Sequence, residues 1–475
     1  EEIMLSYDNR SAQPLQYIAC LFFLLGTFSI ASLTGFNYFG IFGAFIGAFL
    51  ITEINVNKQY IAFSILLSLS LQNLIIGIFG HLGNQFESLV ILTQVPFLFL
   101  FFTYSFLILK RKIFFSKLTI CIGLLLLTVL FAATEGGGLS NMVLQVRNLT
   151  TFYFAFEVGR YSLDSPLLLK KFIRMFLILA IVMFLSGIVL LIGGFQLYSY
   201  IGIRNVYFAK GLSNEGITGM PGRFTTDIFN IPIVRMGSLY FEPVTLSYFF
   251  SAAFVCSYII KWTKSIVLSV TMTLLMGVAI LLTGGKGGML VLASVLISTL
   301  FFKIFSSKFI HFRMISSFWL AAFLSFLIIG VFSNFYGQEY AGPSAAHFDT
   351  ISQTWTTIVQ KPFGHGLAQG GFDQTDASFS DMESTGAESA LMSFGYQLGI
   401  QGLIALFLCF YEMTKMTISN YFDKEHMVLG FIPFALFAVF LFQLNTYTPQ
   451  AIVPFMFIAG SLAGFDSRNK ERRSI

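Results

Sequence analysis

The chain has 475 residues, of which 56% are hydrophobic and only 11% charged, and it carries a formal net charge of +5. A soluble chain has about 25% charged residues, so the composition excludes a water-soluble enzyme and points to many membrane spans of about 20 apolar residues each. The positive balance reflects how lysine and arginine are shared between the two sides of a bilayer, and no nucleic-acid partner is implied.

In chain order, apolar runs predict fourteen helices near residues 15–33, 36–52, 60–80, 90–109, 117–133, 141–159, 172–193, 239–260, 265–283, 287–304, 313–332, 388–411, 427–445 and 449–465. The expected fold is all-α: a polytopic membrane helix bundle forming one integral domain over residues 1–475. Two long extracytoplasmic loops interrupt it, 194–238 and 333–387, the second with short helices of its own. No cleavable leader is expected. Cys20, Cys121, Cys256 and Cys409 each lie in an apolar run without metal-ligand spacing, so no disulfide framework and no metal site are expected.

Sidedness follows from the basic residues. Of 28 lysines and arginines, 21 fall before the first span, after the last, or in every second connection. That alternation places both termini in the cytoplasm. Seven break it: Arg147, Arg204, Lys210, Arg223, Arg235, Lys286 and Lys361. Arg147 lies within a predicted helix and the others on or near the outer face. Such residues carry a cost at insertion and are the first candidates for function.

The outer-face motifs come in this order. "TEGGGLS" is a Gly-rich turn with Glu135 in it. Arg235 opens "RMGSLYFEP", where Pro243 suits the first turn of a span and Glu242 sits just before it. The plain alternative is a salt bridge or an interfacial anchor. Lys286 lies in "LLTGGKGGMLVL", where glycines let a backbone approach a ligand and the next helix presents free N–H groups. Backbone donors with an ammonium make an anion site; the plain alternative is a flexible turn with a snorkelling lysine. His347 and His365 lie in the second loop, which also carries "KPFGHGLAQGG". Glu388, in "ESALMSFGYQLGIQGL", suits a helix start as a cap or, tuned by burial, a general base.

This ordered set, from Arg235 to Leu403, resembles the O-antigen polymerase and ligase superfamily of membrane glycosyltransferases. In that family the segment matching "TGGKGG" usually reads Thr/Ser-Gly-Ser-Arg-Gly. Lys286 keeps the charge there and loses the bidentate fork. Ligases typically carry a His-Asn pair near the start of the segment matching "AESALMSF"; Glu388 at that place looks more like a polymerase. Relatives often have an arginine ahead of a loop Trp, where this chain has His347 ahead of Trp355.

The resemblance implies a metal-independent, inverting polysaccharide polymerase in the bacterial inner membrane, with no cofactor. Its donor and acceptor would be glycans on undecaprenyl diphosphate, destined for O-antigen, capsule or exopolysaccharide. Membrane lipids and a chain-length regulator protein would be its partners. Arg235, Lys286 and Arg223 would hold the diphosphate. Glu388 would take the acceptor proton, with His347 as the other candidate base. Glu242, Glu135 and His365 would support them. The alternatives are a ligase-type transferase and a lipid-linked sugar flippase or transporter. A transporter favours ionisable groups deep in the helices, and no internal repeat of the transporter kind is visible.

Overall fold

The computed structural model describes residues 2–304 apart from 54–56, 84–91, 111, 114–115, 137–138, 210–223, 229–230, 260–261 and 264, then 342–368 and 389–473 apart from 420–426 and 442, with single helical positions at 316, 319, 320 and 323. Lys210, Arg223, Glu388, loop positions 369–387 and nearly all of the predicted span 313–332 lie outside the described residues.

The helices are α1 (Glu2–Thr34), α2 (Asn37–Glu53), α3 (Gln59–Gly83), α4 (Val95–Leu109), α5 (Lys117–Ala133), α6 (Leu139–Ser162), α7 (Pro166–Tyr200), α8 (Ile203–Ala209), α9 (Pro243–Ile259), α10 (Ile266–Thr283), α11 (Lys286–Ile304), α12 (Gly342–Gln360), α13 (Ala390–Ser419), α14 (Met427–Gly430), α15 (Ile432–Phe440) and α16 (Pro449–Arg473). Every predicted span except 313–332 falls on helix. Among the described residues, five stretches are long and apolar enough to cross a bilayer: Tyr17–Thr34, Gln59–Gly80, Pro166–Tyr200, Ile266–Thr283 and Ala390–Ile418. The fold is thus that of a helical membrane protein. One antiparallel hairpin, β1 (Thr225–Ile228) with β2 (Ile231–Val234), was not expected; Thr225 pairs with Val234 and Ile228 with Ile231.

Local chemistry sets the helix ends. Ser165 caps α7 by accepting the Leu168 N–H at 3.3 Å, with Pro166 in the first helical position. Ser265 caps α10 in the same way through Leu268, again at 3.3 Å. Gly284 ends α10 at φ +56°, the left-handed conformation that a C-terminal cap requires and that glycine adopts without strain. The outer loop was expected to begin at residue 194. Gly194 (φ 57°, ψ −155°) interrupts α7, but the helix resumes and runs to Tyr200. The resumed turn is held because Tyr198 is fully buried, 4.9 Å from the Phe224 ring.

The chain packs into two compact units, residues 1–114 with 154–285, and residues 115–153 with 286–475. In the first unit α3 lies against α1, α4, α7 and α8, and α9 pairs with α10. Helix α2 packs through a buried row of small residues, Gly40, Gly43, Ala44, Gly47 and Ala48. A Cβ on Gly43 would fall 1.9 Å from Thr27 Oγ1 of α1, so the backbones approach as only small residues allow. Phe42, Phe45 and Phe49 are exposed on α2, as lipid contact demands.

In the second unit α13 is the hub, packing on α5, α12, α15 and α16. Every residue of α15 is buried. Phe410 of α13 meets Phe437 at 5.3 Å and Phe440 at 5.4 Å between ring centres. Gly399 (φ 74°, ψ −172°) splits α13 into two segments, and that break receives the end of the α12 segment.

Candidate functional site

In the first unit, the eight residues from Arg235 to Glu242 form a strap between β2 and α9. The strap begins at Arg235, whose N–H donates to Phe224 O at 2.7 Å. Its guanidinium donates through Nε to Thr283 O at 2.8 Å and through Nη2 to Gly284 O at 3.2 Å. The next N–H, from Met236, donates to Leu282 O at 2.9 Å. Those carbonyls close α10, where the helix leaves its last acceptors unpaired and a cation is favoured by the helix dipole. Arg235 is half-buried. Sequence reading placed it just above α9; the structure docks it on the C-terminus of α10.

The rest of the strap is held against its own backbone preference. Ser238 (φ 46°) and Phe241 (φ 51°) adopt left-handed conformations without being glycine, at about 1–2 kcal/mol each. Such strain persists only where surroundings over-determine it, and it concentrates at functional sites. The surroundings are on view. Ser238 Oγ donates to Met183 O at 2.6 Å, and Ser186 Oγ lies 2.9 Å from it. The Tyr198 hydroxyl accepts the Gly237 N–H at 3.2 Å. Asn73 Nδ2 donates to Tyr240 O. Glu242 is buried directly before Pro243, at the start of α9, as its sequence position implied. Tyr198, Asn73 and Ser186 are thus positioning residues that sequence reading missed. Each is an ordinary apolar-run polar residue, with no local mark of its role.

The second unit holds Lys286, an exposed side chain on the first residue of α11, followed by buried Gly287 and Gly288. The expected turn-then-helix arrangement at Lys286 is therefore present. His347 lies on α12, and its side chain is outside the described residues.

The segment 361–368 after α12 clasps two elements of this unit. Ile400 N–H donates to Pro362 O at 2.9 Å, and Gln401 Nε2 to Phe363 O at 3.0 Å, across the break in α13. Gly366 N–H reaches Gln397 O at 3.2 Å, Ala368 N–H reaches Gln397 Oε1 at 2.9 Å, and Leu367 N–H reaches Ala132 O at 2.8 Å. His365 stacks on Tyr396, with ring centres 4.1 Å apart and planes 3° from parallel. Its backbone N–H donates to Tyr396 O at 2.8 Å, and its Nδ1 lies 3.2 Å from the same oxygen. His365 therefore orients the clasp.

Lys361 pairs with Glu135 at 2.9 Å. One of the seven sidedness-breaking cations is thereby matched to a carboxylate. Another, Arg204, lies over the Phe195 ring at 5.2 Å in the first unit. Arg147 donates through Nε and Nη2 to Asn148 Oδ1, at 3.0 and 2.8 Å.

Lys361 holds the Glu135 carboxyl below its ordinary value of 4.5, by hydrogen bond and by charge. A carboxyl lowered on folding adds stability above its unfolded value and loses it as the medium is acidified through its folded one. Wild type is therefore expected to melt slightly above Glu135→Gln at neutral pH, and the gap to close in acid. Thermal unfolding at the two pH values checks this. The gap stays small because the pair is exposed.

Among the described residues, no group of three or more His, Cys, Asp and Glu side chains is placed to hold a metal ion. The four cysteines are free thiols. No family model, no curated protein and no solved structure matches this chain. The fold by itself defines a class, a membrane-embedded helical protein with a strained, arginine-bearing strap.

Proposed function

We propose that this chain is a polysaccharide polymerase of the bacterial inner membrane. It joins undecaprenyl-diphosphate-linked oligosaccharide units on the extracytoplasmic side, through a bundle of about 14 spans with both termini cytoplasmic. The observation that carries the reading is Arg235, fixed by two backbone carbonyls at the end of α10 on a strap under strain. A guanidinium held in advance stabilises charge that develops on a leaving group without reorganising during the reaction.

In the reaction, an acceptor sugar hydroxyl attacks the anomeric carbon of the donor. The new glycosidic C–O bond forms as the bond to the phosphate oxygen breaks, and undecaprenyl diphosphate leaves with the electron pair. Arg235, Lys286 and Arg223 stabilise that diphosphate. The hydroxyl proton passes to Glu388 or to His347. One displacement inverts the anomeric centre.

The test is chain growth by purified protein supplied with one defined lipid-linked repeat unit. A ladder of lengths is expected, and added chelator is expected to leave its rate unchanged. Transfer of a finished polymer to a different acceptor would make the protein a ligase. Movement of the substrate across vesicles without new linkages would make it a transporter. The base is the residue, Glu388 or His347, whose alanine substitution slows the ladder by about 100-fold.

A further inference from the structure

The first unit has a cavity of about 720 Å³ where α7 begins and where α9 turns into α10. The Arg235 strap enters α9 at its other end, and 17 residues of helix separate the two places, about 25 Å at 1.5 Å per residue. The cavity is therefore distinct from the strap, and the inference below does not rest on the proposed polymerase activity.

One wall of the cavity is cationic. It carries Lys170 and Arg174, four residues apart on α7. Arg174 Nε donates to the Trp262 carbonyl at 3.0 Å, which fixes the guanidinium against the α9–α10 connection. Neither Lys170 nor Arg174 has an ion-pair partner among the described residues. Trp262 also lines the cavity, and its indole Nε1 is buried with no hydrogen-bond partner among the described residues. Buried donors are rarely left unpaired. Two of the lining hydroxyls turn their protons to backbone carbonyls: Ser269 Oγ donates to Ser257 O at 2.9 Å, and Thr273 Oγ1 to Ser269 O at 2.9 Å.

The other wall is apolar and open. Ile266, Val270 and Leu274 are exposed at 80%, 51% and 66%. They recur every four residues on α10, so they form one strip about 12 Å long. That helix is one of those apolar enough to cross a bilayer. Two cations without an ion-pair partner and an indole N–H without a hydrogen-bond partner, among the described residues, thus stand at the head of a greasy groove. This is the layout of a headgroup pocket between membrane helices, with an aromatic residue at the interface.

We propose that this cavity holds one anionic phospholipid. Its phosphate lies between Lys170 and Arg174, a headgroup oxygen accepts the Trp262 N–H, and one acyl chain runs along Ile266, Val270 and Leu274. Charge complementarity selects an anionic headgroup over a zwitterionic one, because among the described residues the cavity lining carries two cations and no carboxylate.

Native mass spectrometry of the full chain, titrated with phosphatidylglycerol, phosphatidylcholine or inorganic phosphate, tests the site. One phosphatidylglycerol per chain is expected to be retained at least about 10-fold more tightly than phosphatidylcholine. Replacing both cations (Lys170→Gln with Arg174→Gln) is expected to weaken phosphatidylglycerol by about 10- to 30-fold. Val270→Trp leaves the cations and fills the groove, so it is expected to weaken phosphatidylglycerol as well. Equal retention of the two lipids overturns the proposal, as does a double variant that binds phosphatidylglycerol like wild type. Inorganic phosphate bound as tightly as phosphatidylglycerol, with no effect of Val270→Trp, makes it a free-anion site and overturns the lipid assignment.

Discussion

Arg235→Ala is expected to slow growth of lipid-linked chains by about 100- to 1000-fold, the usual effect of removing one preorganised donor from a developing negative charge. The side chain does two jobs in this fold. Nε and Nη2 tie the strap to Thr283 O and Gly284 O, and the charge sits at the C-terminal end of α10. Arg235→Lys separates them. It keeps the charge and loses the fork, so it should recover part of the rate while leaving the strap poorly tied. Rates are read from the product ladder and folding from the thermal midpoint in detergent. A near-normal ladder from Arg235→Ala would remove this residue from the mechanism and, with it, the observation on which the polymerase reading rests.

Gly366→Ala is expected to destabilise the second unit strongly. Gly366 sits at φ +105°, and a Cβ built there would lie 2.2 Å from the Glu135 carbonyl oxygen. That oxygen belongs to the backbone and has no rotamer to swing away. The dihedral alone costs roughly 1–3 kcal/mol, and the collision adds to it, so a loss of about 3 kcal/mol or more is expected. Gly123 is the internal control. It lies inside α5, and a Cβ added to it would meet nothing within 4 Å, so Gly123→Ala should hold or gain up to about 1 kcal/mol from helix propensity. Comparable melting of the two variants would mean that the clasp around residues 361–368 does not form.

Much of the helical layout was legible because apolar runs, serine caps and helix-starting prolines are local signals. Ser165-Pro166, Ser265 and Pro243 mark the starts of α7, α10 and α9, and Gly284 marks an end. Arg235, Lys286 and Glu135 stood out because cations and carboxylates are rare in so apolar a chain. What stayed hidden depends on distant partners. Nothing near Ser238 or Phe241 announces a positive φ; it is imposed by Met183, Tyr198 and Asn73. The hairpin was missed because β2 contains Pro232 and because "TTDIFNIPIV" lacks regular alternation. The pairing of Glu135 with Lys361 joins residues 226 positions apart, and no sequence window spans them.

The two-unit division also has a consequence for biosynthesis. The second unit is discontinuous in sequence: α5 ends at Ala133, and its partner α13 begins at Ala390. At about 5–20 residues per second, the ribosome needs roughly 10–50 seconds to make the intervening chain. Throughout that interval α5 lacks its final neighbour, and Glu135 lacks Lys361 for most of it. Completion of this half is therefore a late event, and a chain truncated before residue 390 would leave an apolar helix unmatched for quality-control proteases to find.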